Sequence, residues 1–169
     1  MKWIDRTFDF SGTESRVPEL IERLRGTPVR VEARVKDVSA EILTRRDGER
    51  WSIQENVGHL VKVEGLFLGR LDDFDGGAET LRAADMTNQR TWEAGFNELP
   101  LDEILGELRQ VRGELVERLE RMTPPEARRA SFHPRLEVPM RVCDMMFFEA
   151  EHDDFHLARI SELLRKWQE

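Results

Sequence analysis

The sequence predicts an all-α chain folded as a four-helix bundle. Four long stretches repeat their apolar residues every three or four positions, cap and breaker residues bound them, and neither a run of alternating strands nor an internal repeat appears. At 169 residues the chain has the size of one ordinary domain, and residues 1–169 are read as a single helical-bundle domain.

The first helix runs from Val17 to about Asp37, with Val17, Leu20, Ile21 and Leu24 and then Val31, Val35 and Val38 in phase. Gly26-Thr27-Pro28 interrupts it. Thr27 can cap and Pro28 suits a first helical position, so one kinked helix is expected rather than two elements. A further helical turn follows at Ser39 to Leu43. The second helix starts at a capping box, Ser52-Ile53-Gln54-Glu55, and runs to about Phe74, ahead of Gly76-Gly77. Its stripe is Ile53, Leu60, Val63, Phe67, Leu71 and Phe74, while Gly58, Gly65 and Gly69 gather on the other side. That glycine ridge suits the close approach of another helix or subunit, or a tolerated solvent face.

Residues 76 to 100 are too many for a bare loop, so a short helix capped by Asp85 and covering roughly Met86 to Ala94 is expected in a long, structured crossover between helices 2 and 3. Leu101, Ile104, Leu105, Leu108, Val111, Leu115, Leu119 and Met122 trace the third helix, which Thr123-Pro124-Pro125 ends. A loop through His133-Pro134 leads to the last helix, from about Arg141 to Trp167.

Composition narrows the function classes. With 26 Lys+Arg against 34 Asp+Glu the net charge is -8, which speaks against nucleic acid as a partner. The one cysteine, Cys143, allows no intrachain disulfide and no thiolate pair, and a reducing cytoplasm fits best. Charges at Lys2, Asp5 and Arg6 leave no room for a signal peptide, and no window is apolar enough for a membrane span.

The chemistry sits in the histidines. His152 and His156, four residues apart on the last helix, are separated by about 6 Å of rise and about 40° around the axis. They fall on the buried stripe with Met145, Ile160 and Leu163. Two imidazoles in a core need partners, and an HxxxH pair by itself is a weak motif that neutral, hydrogen-bonded core histidines more often present. Asp153 stands where a zinc peptidase carries glutamate, which sets peptidase activity aside. His59, at the edge of the second helix's stripe, can supply a third nitrogen. Three neutral imidazoles suit Zn²⁺, Ni²⁺ or Fe²⁺ and leave a coordination position open, as in catalytic sites. Cys143 lies about 180° from His152 on its helix, so it is excluded as a fourth ligand and read as a small packing residue. Glu149 and Asp153 are on the histidine side, as ligands, as acceptors of imidazole N–H groups, or as solvated stripe edges. Glu55 is taken up by the capping box. His133 is read as a loop residue, with lining the mouth of a site as the alternative.

The segments Trp51-Ser52-Ile53-Gln54-Glu55-Asn56-Val57-Gly58-His59-Leu60, His133-Pro134-Arg135-Leu136 and Ala150-Glu151-His152-Asp153-Asp154-Phe155-His156-Leu157-Ala158-Arg159-Ile160 resemble the DinB-like superfamily over nearly the whole chain. The resemblance implies an up-down-down-up bundle whose metal is held by one histidine of the second helix and the HxxxH pair of the last, here His59, His152 and His156. It also implies a small-molecule substrate and allows a homodimer. For activity it implies a thiol-dependent S-transferase using a low-molecular-weight thiol cosubstrate on a small electrophile, with a metal-dependent hydrolase as the alternative. A non-enzymatic, stress-associated metal-binding protein is a further reading. In a metal-free version the histidines are core residues and the glycine ridge a dimer surface.

Overall fold

A computed structural model describes residues 2–168. The first long helix is α1 (Val17–Arg25) followed by α2 (Thr27–Val35). Gly26 keeps helical dihedrals (φ -74°, ψ -13°), and its N–H still bonds to Glu22, so the two halves form the kinked rod expected. Thr27 does not cap it. Its hydroxyl instead donates to Asp153 Oδ2 at 2.6 Å, a contact that no local pattern encodes. After the short α3 (Ala40–Thr44), α4 (Ile53–Asp75) begins at the expected capping box. Ser52 Oγ accepts from Glu55 N at 3.1 Å and Glu55 Oε2 accepts from Ser52 N at 2.9 Å.

The crossover holds the helix α5 (Gln89–Glu93) and a 3₁₀ turn at Phe96–Glu98. Asp85 is not the N-cap expected: its carboxylate accepts from Thr87 N and Gln89 N and closes a local turn, so Asn88 becomes the N-cap and regular helix starts only at Gln89. The third long helix is α6 (Leu101–Glu120). Beyond it the sequence reading missed two small elements. One is α7 (Pro124–Ala127), where Thr123 and Glu126 form another capping box. The other is a hairpin of β1 (Ala130–His133) and β2 (Val138–Arg141), paired antiparallel with Ala130 opposite Arg141. The last helix is α8 (Val142–Gln168).

Side-chain pairs fix the helix directions. Lys62 meets Glu107 and Arg118 meets Asp72, so α4 and α6 run parallel, as the long crossover requires. Arg23 meets Asp154 and Arg34 meets Ser161, so the first rod and α8 are also parallel. Asn56 meets His156 and His59 meets His152, so α4 and α8 are antiparallel. This is the up-down-down-up order. Among the described residues no helix is long and apolar enough to cross a membrane.

The core has two apolar halves. Leu24, Phe67, Leu71, Leu115, Leu119 and Met145 pack in one, and Val35, Ile53, Leu60, Ile104, Leu108, Ile160 and Leu163 in the other. Between them the same helices carry a polar belt that includes His59, Glu64, Arg112, Glu149, His152, Asp153 and His156, all buried. The glycine ridge serves the chain itself. A Cβ at Gly58 would stand 2.3 Å from the Phe96 ring, and one at Gly69 would stand 2.0 Å from the Arg82 guanidinium, so the crossover lies directly on α4. Gly65 alone of the three faces open space.

Candidate metal centre

His59 lies on the second turn of α4, whose register is locked by the Ser52–Glu55 capping box and by Arg46, which pairs with Glu55. His152 and His156 are held on α8. Across the antiparallel pair the three side chains converge. His152 Nε2 is 3.3 Å from His59 Nε2 and 3.2 Å from His156 Nε2, and the ligand nitrogens of all three lie within 4.8 Å of one another.

The outer ring nitrogens decide which way the lone pairs point. Asn56 Nδ2 donates to Ser52 O at 2.7 Å, which orients its amide and leaves Oδ1 facing His156 Nδ1 at 2.9 Å. That oxygen only accepts, so His156 carries its proton on Nδ1 and presents a bare Nε2. Thr91 Oγ1, 3.0 Å from His59 Nδ1, can accept the corresponding proton. His152 Nδ1 has no hydrogen-bond partner among the described residues, and its ring meets Trp3 edge-on at 5.0 Å between centroids. Trp51 covers His59 at 4.5 Å. Burial lowers the His59 pKa to about 4 and holds His152 and His156 well below the ordinary histidine value. All three are therefore neutral near pH 7.

Bare nitrogens facing one another repel unless a proton or a cation stands between them. An ion bonded at about 2.0–2.1 Å to nitrogens at tetrahedral angles needs them about 3.3–3.4 Å apart. The two separations from His152 fit a divalent ion with nitrogen preference, and the neutral donor set suits it. The remaining direction opens into a cleft of about 500 Å³ whose walls include Trp3, Trp51, Phe148 and Phe155 together with several cations.

The other candidate residues fall elsewhere. Glu149 and Asp153 are not solvated edges, and neither meets an imidazole: both are fully buried around Arg112. Arg112 donates to Asp153 Oδ2 at 2.5 Å, pairs with Glu64, and lies 3.4 Å from Glu149. Burial, and next the neighbouring Glu64, holds the Glu149 carboxyl well above the usual range. Glu64 is also raised by burial, with Arg112 opposing. Cys143 is buried away from the centre, as expected. His133 ends β1 rather than lying in a loop. It is buried and lines the cleft. Sequence reasoning overlooked Asn56 and Thr91. Asn56 sits about 60° from His59 around α4, within reach of a helical-wheel argument, whereas Thr91 arrives from the crossover and left no local trace.

Comparison with known proteins gives two kinds of match. A sequence model described as the DinB superfamily matches residues 23–160. Among solved structures, the chain is similar to YfiT from Bacillus subtilis, described as a probable metal-dependent hydrolase with an unusual four-helix bundle topology. The TM-score is 0.80 at 20% identity, covering 95% of this chain and 93% of that one. A protein from Streptococcus pneumoniae matches with TM-score 0.66 at 15% identity, over 96% of this chain and 92% of that one. At these identities the likeness is one of fold. No curated protein matches in sequence.

Proposed function

The chain belongs to the DinB superfamily, and from that premise we propose that it is a divalent-metal-dependent enzyme using His59, His152 and His156 as ligands to join a low-molecular-weight thiol to a small electrophile. The observation that carries the reading is the convergence of three neutral, buried Nε2 atoms on one point at the floor of a cleft. Bound there, a Zn²⁺, Ni²⁺ or Fe²⁺ ion supplies Lewis acidity, which lowers the pKa of a thiol or a water and offsets developing negative charge.

The chain's own residues supply the rest. Asn56 and Thr91 hold the rings in the tautomer that keeps Nε2 free, and Trp3 and Trp51 wall the centre with apolar surface. A thiol suits this setting better than water. An ordinary thiol ionises near pH 8.5, so a small shift yields thiolate at neutral pH, whereas hydrolysis is helped by a nearby base. Glu149 and Asp153 cannot serve, being sealed around Arg112, and the cleft's Asp85 is engaged by Thr87 and Gln89. Metal-dependent hydrolysis is the second reading, favoured by the description attached to the structurally similar YfiT.

Metal content of the purified protein, measured by mass spectrometry beside His59→Ala and His152→Ala, tests the centre. About one equivalent in the wild type and loss in both variants is the expected outcome; no metal in any of them, even after reconstitution, overturns it. Incubating the loaded protein with an electrophile, with and without added thiol, then separates the two chemistries: an S-conjugate formed only with thiol supports transfer, and thiol-independent product supports hydrolysis.

A further inference from the structure

The three histidines occupy the floor of the cleft, and its far wall carries a separate group of polar side chains. Arg70 projects from α4 eleven residues beyond His59, about 16 Å along the helix. It is only 2% exposed, yet its one hydrogen bond is from Nε to the Arg82 carbonyl at 3.2 Å. Among the described residues no carboxylate lies within ion-pair distance of it. Asp73 is engaged by Arg82, and Glu149 is turned to the Arg112 cluster.

Arg135, in the turn between β1 and β2, joins it at the same wall. Its guanidinium lies 5.5 Å from the Phe148 ring centre, its Nη1 donates to the Ile4 carbonyl at 3.4 Å, and its Nη2 is buried with no hydrogen-bond partner among the described residues. The third member is His133. Its Nδ1 accepts from Leu136 N at 3.1 Å, so in the neutral ring the proton is on Nε2, and that N–H too is buried and unpartnered. The wall thus presents donors from three residues and, among the described residues, only the Arg82 and Ile4 carbonyls as acceptors, with no carboxylate. Burial, and then the charge of Arg135, brings the Arg70 pKa down to about 10, still a full cation near neutrality. Two desolvated cations and a buried N–H are costly without a counter-charge. Phe148 links this wall to the centre: its ring packs on His133 at 5.5 Å, and it precedes His152 by one turn of α8.

We propose that Arg70, Arg135 and His133 form an oxyanion subsite that holds a carboxylate or phosphate group of the substrate or cosubstrate while its reactive end lies at the three-histidine centre. Guanidinium forks match either group in shape and charge. The subsite also accounts for the His133-Pro134-Arg135 segment: the turn brings Leu136 N back onto the imidazole and sets Arg135 over Phe148. The proposal takes its reactive end from the metal-centre reading, but the subsite itself is measurable without activity.

The test is calorimetric titration of the purified protein with succinate, with inorganic phosphate and with uncharged succinamide at one ionic strength, the metal content of each sample being measured in parallel. One or both anions should bind and the diamide should not, and whichever anion binds identifies the head group. Arg135→Gln and Arg70→Met should each weaken that binding by at least about tenfold, the scale of a lost charge-assisted contact, with metal content unchanged. Arg135 is only partly buried, so its variant decides the matter if the buried Arg70→Met does not fold. Equal binding of succinate and succinamide, no binding of either anion, or wild-type affinity in Arg135→Gln would overturn the subsite. Binding that depends on Arg135 in protein that takes up no metal even after reconstitution would keep the subsite and remove the metal reading.

Discussion

Two buried polar groups are built from the same pair of helices, α4 and α8, and they behave oppositely. On one face His59, His152 and His156 stand with their Nε2 atoms turned toward one another and toward a cleft. On the other, Glu64, Glu149 and Asp153 surround Arg112, which α6 supplies. The carboxyl cluster is matched in charge within the chain: one cation sits among three acids and Thr27 donates to Asp153, while Glu64 Oε2 and both Glu149 oxygens find no hydrogen-bond partner among the described residues. The histidine cluster is not matched, because three groups of one kind are brought together with nothing of the opposite kind among them. The wall formed by Arg70, Arg135 and His133 repeats that imbalance with donors. Burial alone therefore does not mark a functional site; an unmatched set of like groups beside open space does.

If the contrast holds, damage to the sealed cluster appears as lost stability and damage to the open one as lost ligand. The largest effect is expected at Arg112. Arg112→Met leaves the buried acids without their cation and should cost about 3–5 kcal/mol of unfolding free energy, read by urea denaturation, with metal content per folded molecule unchanged. A variant as stable as the wild type would mean that the acids take up protons at little cost and that the arginine is not what holds the belt together. Next comes Asn56→Ala, which removes the acceptor that fixes His156. Metal affinity should fall about 10–100-fold, measured by competition with a chelator, while the apo-protein loses about 1 kcal/mol through the broken bond to Ser52. Unchanged affinity would show that the tautomer of His156 is set by the ion itself.

The contrast also explains what the sequence could and could not reveal. The long helices and the α4 capping box were legible because periodicity and caps are local. So was the histidine set, since His152 and His156 share a face by helical spacing and His59 lies on a stripe edge. The belt was not legible. Glu149 and Asp153 have the same spacing relation to the histidines that solvated edges would have; only Arg112, thirty-seven residues before Glu149 in sequence and brought in by the parallel pairing of α4 and α6, turns them into core residues. The hairpin was missed because four-residue strands around Pro134 and Pro139 carry too little alternation to register. With it went the burial of His133 and the position of Arg135. Thr91 and Arg82 reach α4 through the crossover, whose path is set when Leu81 N bonds to Phe132 O and Phe96 packs on Gly58.

The smallest effect, and the one that examines the sealed cluster most finely, belongs to Glu149→Gln. Burial holds this carboxyl's pKa well above that of the unfolded chain, so folding favours its protonated form, and an amide of the same shape should change stability by less than about 1 kcal/mol at pH 5. The sign of the pH dependence follows from linkage. A group whose folded pKa is raised contributes stability that is complete below the unfolded value, about 4.3 for glutamate, and lost as pH climbs through the folded one. Wild-type protein should therefore lose stability relative to Glu149→Gln as pH rises from 5 to 7, by no more than about 1.4 kcal/mol per pH unit, the limit for one proton. The histidines titrate alike in both proteins, so they cancel in the difference when urea midpoints are compared on metal-free samples. A difference that stays flat with pH would place an ionised Glu149 beside Glu64 and Asp153, leaving three negative charges on one arginine; the cluster would then carry the same kind of imbalance as the cleft.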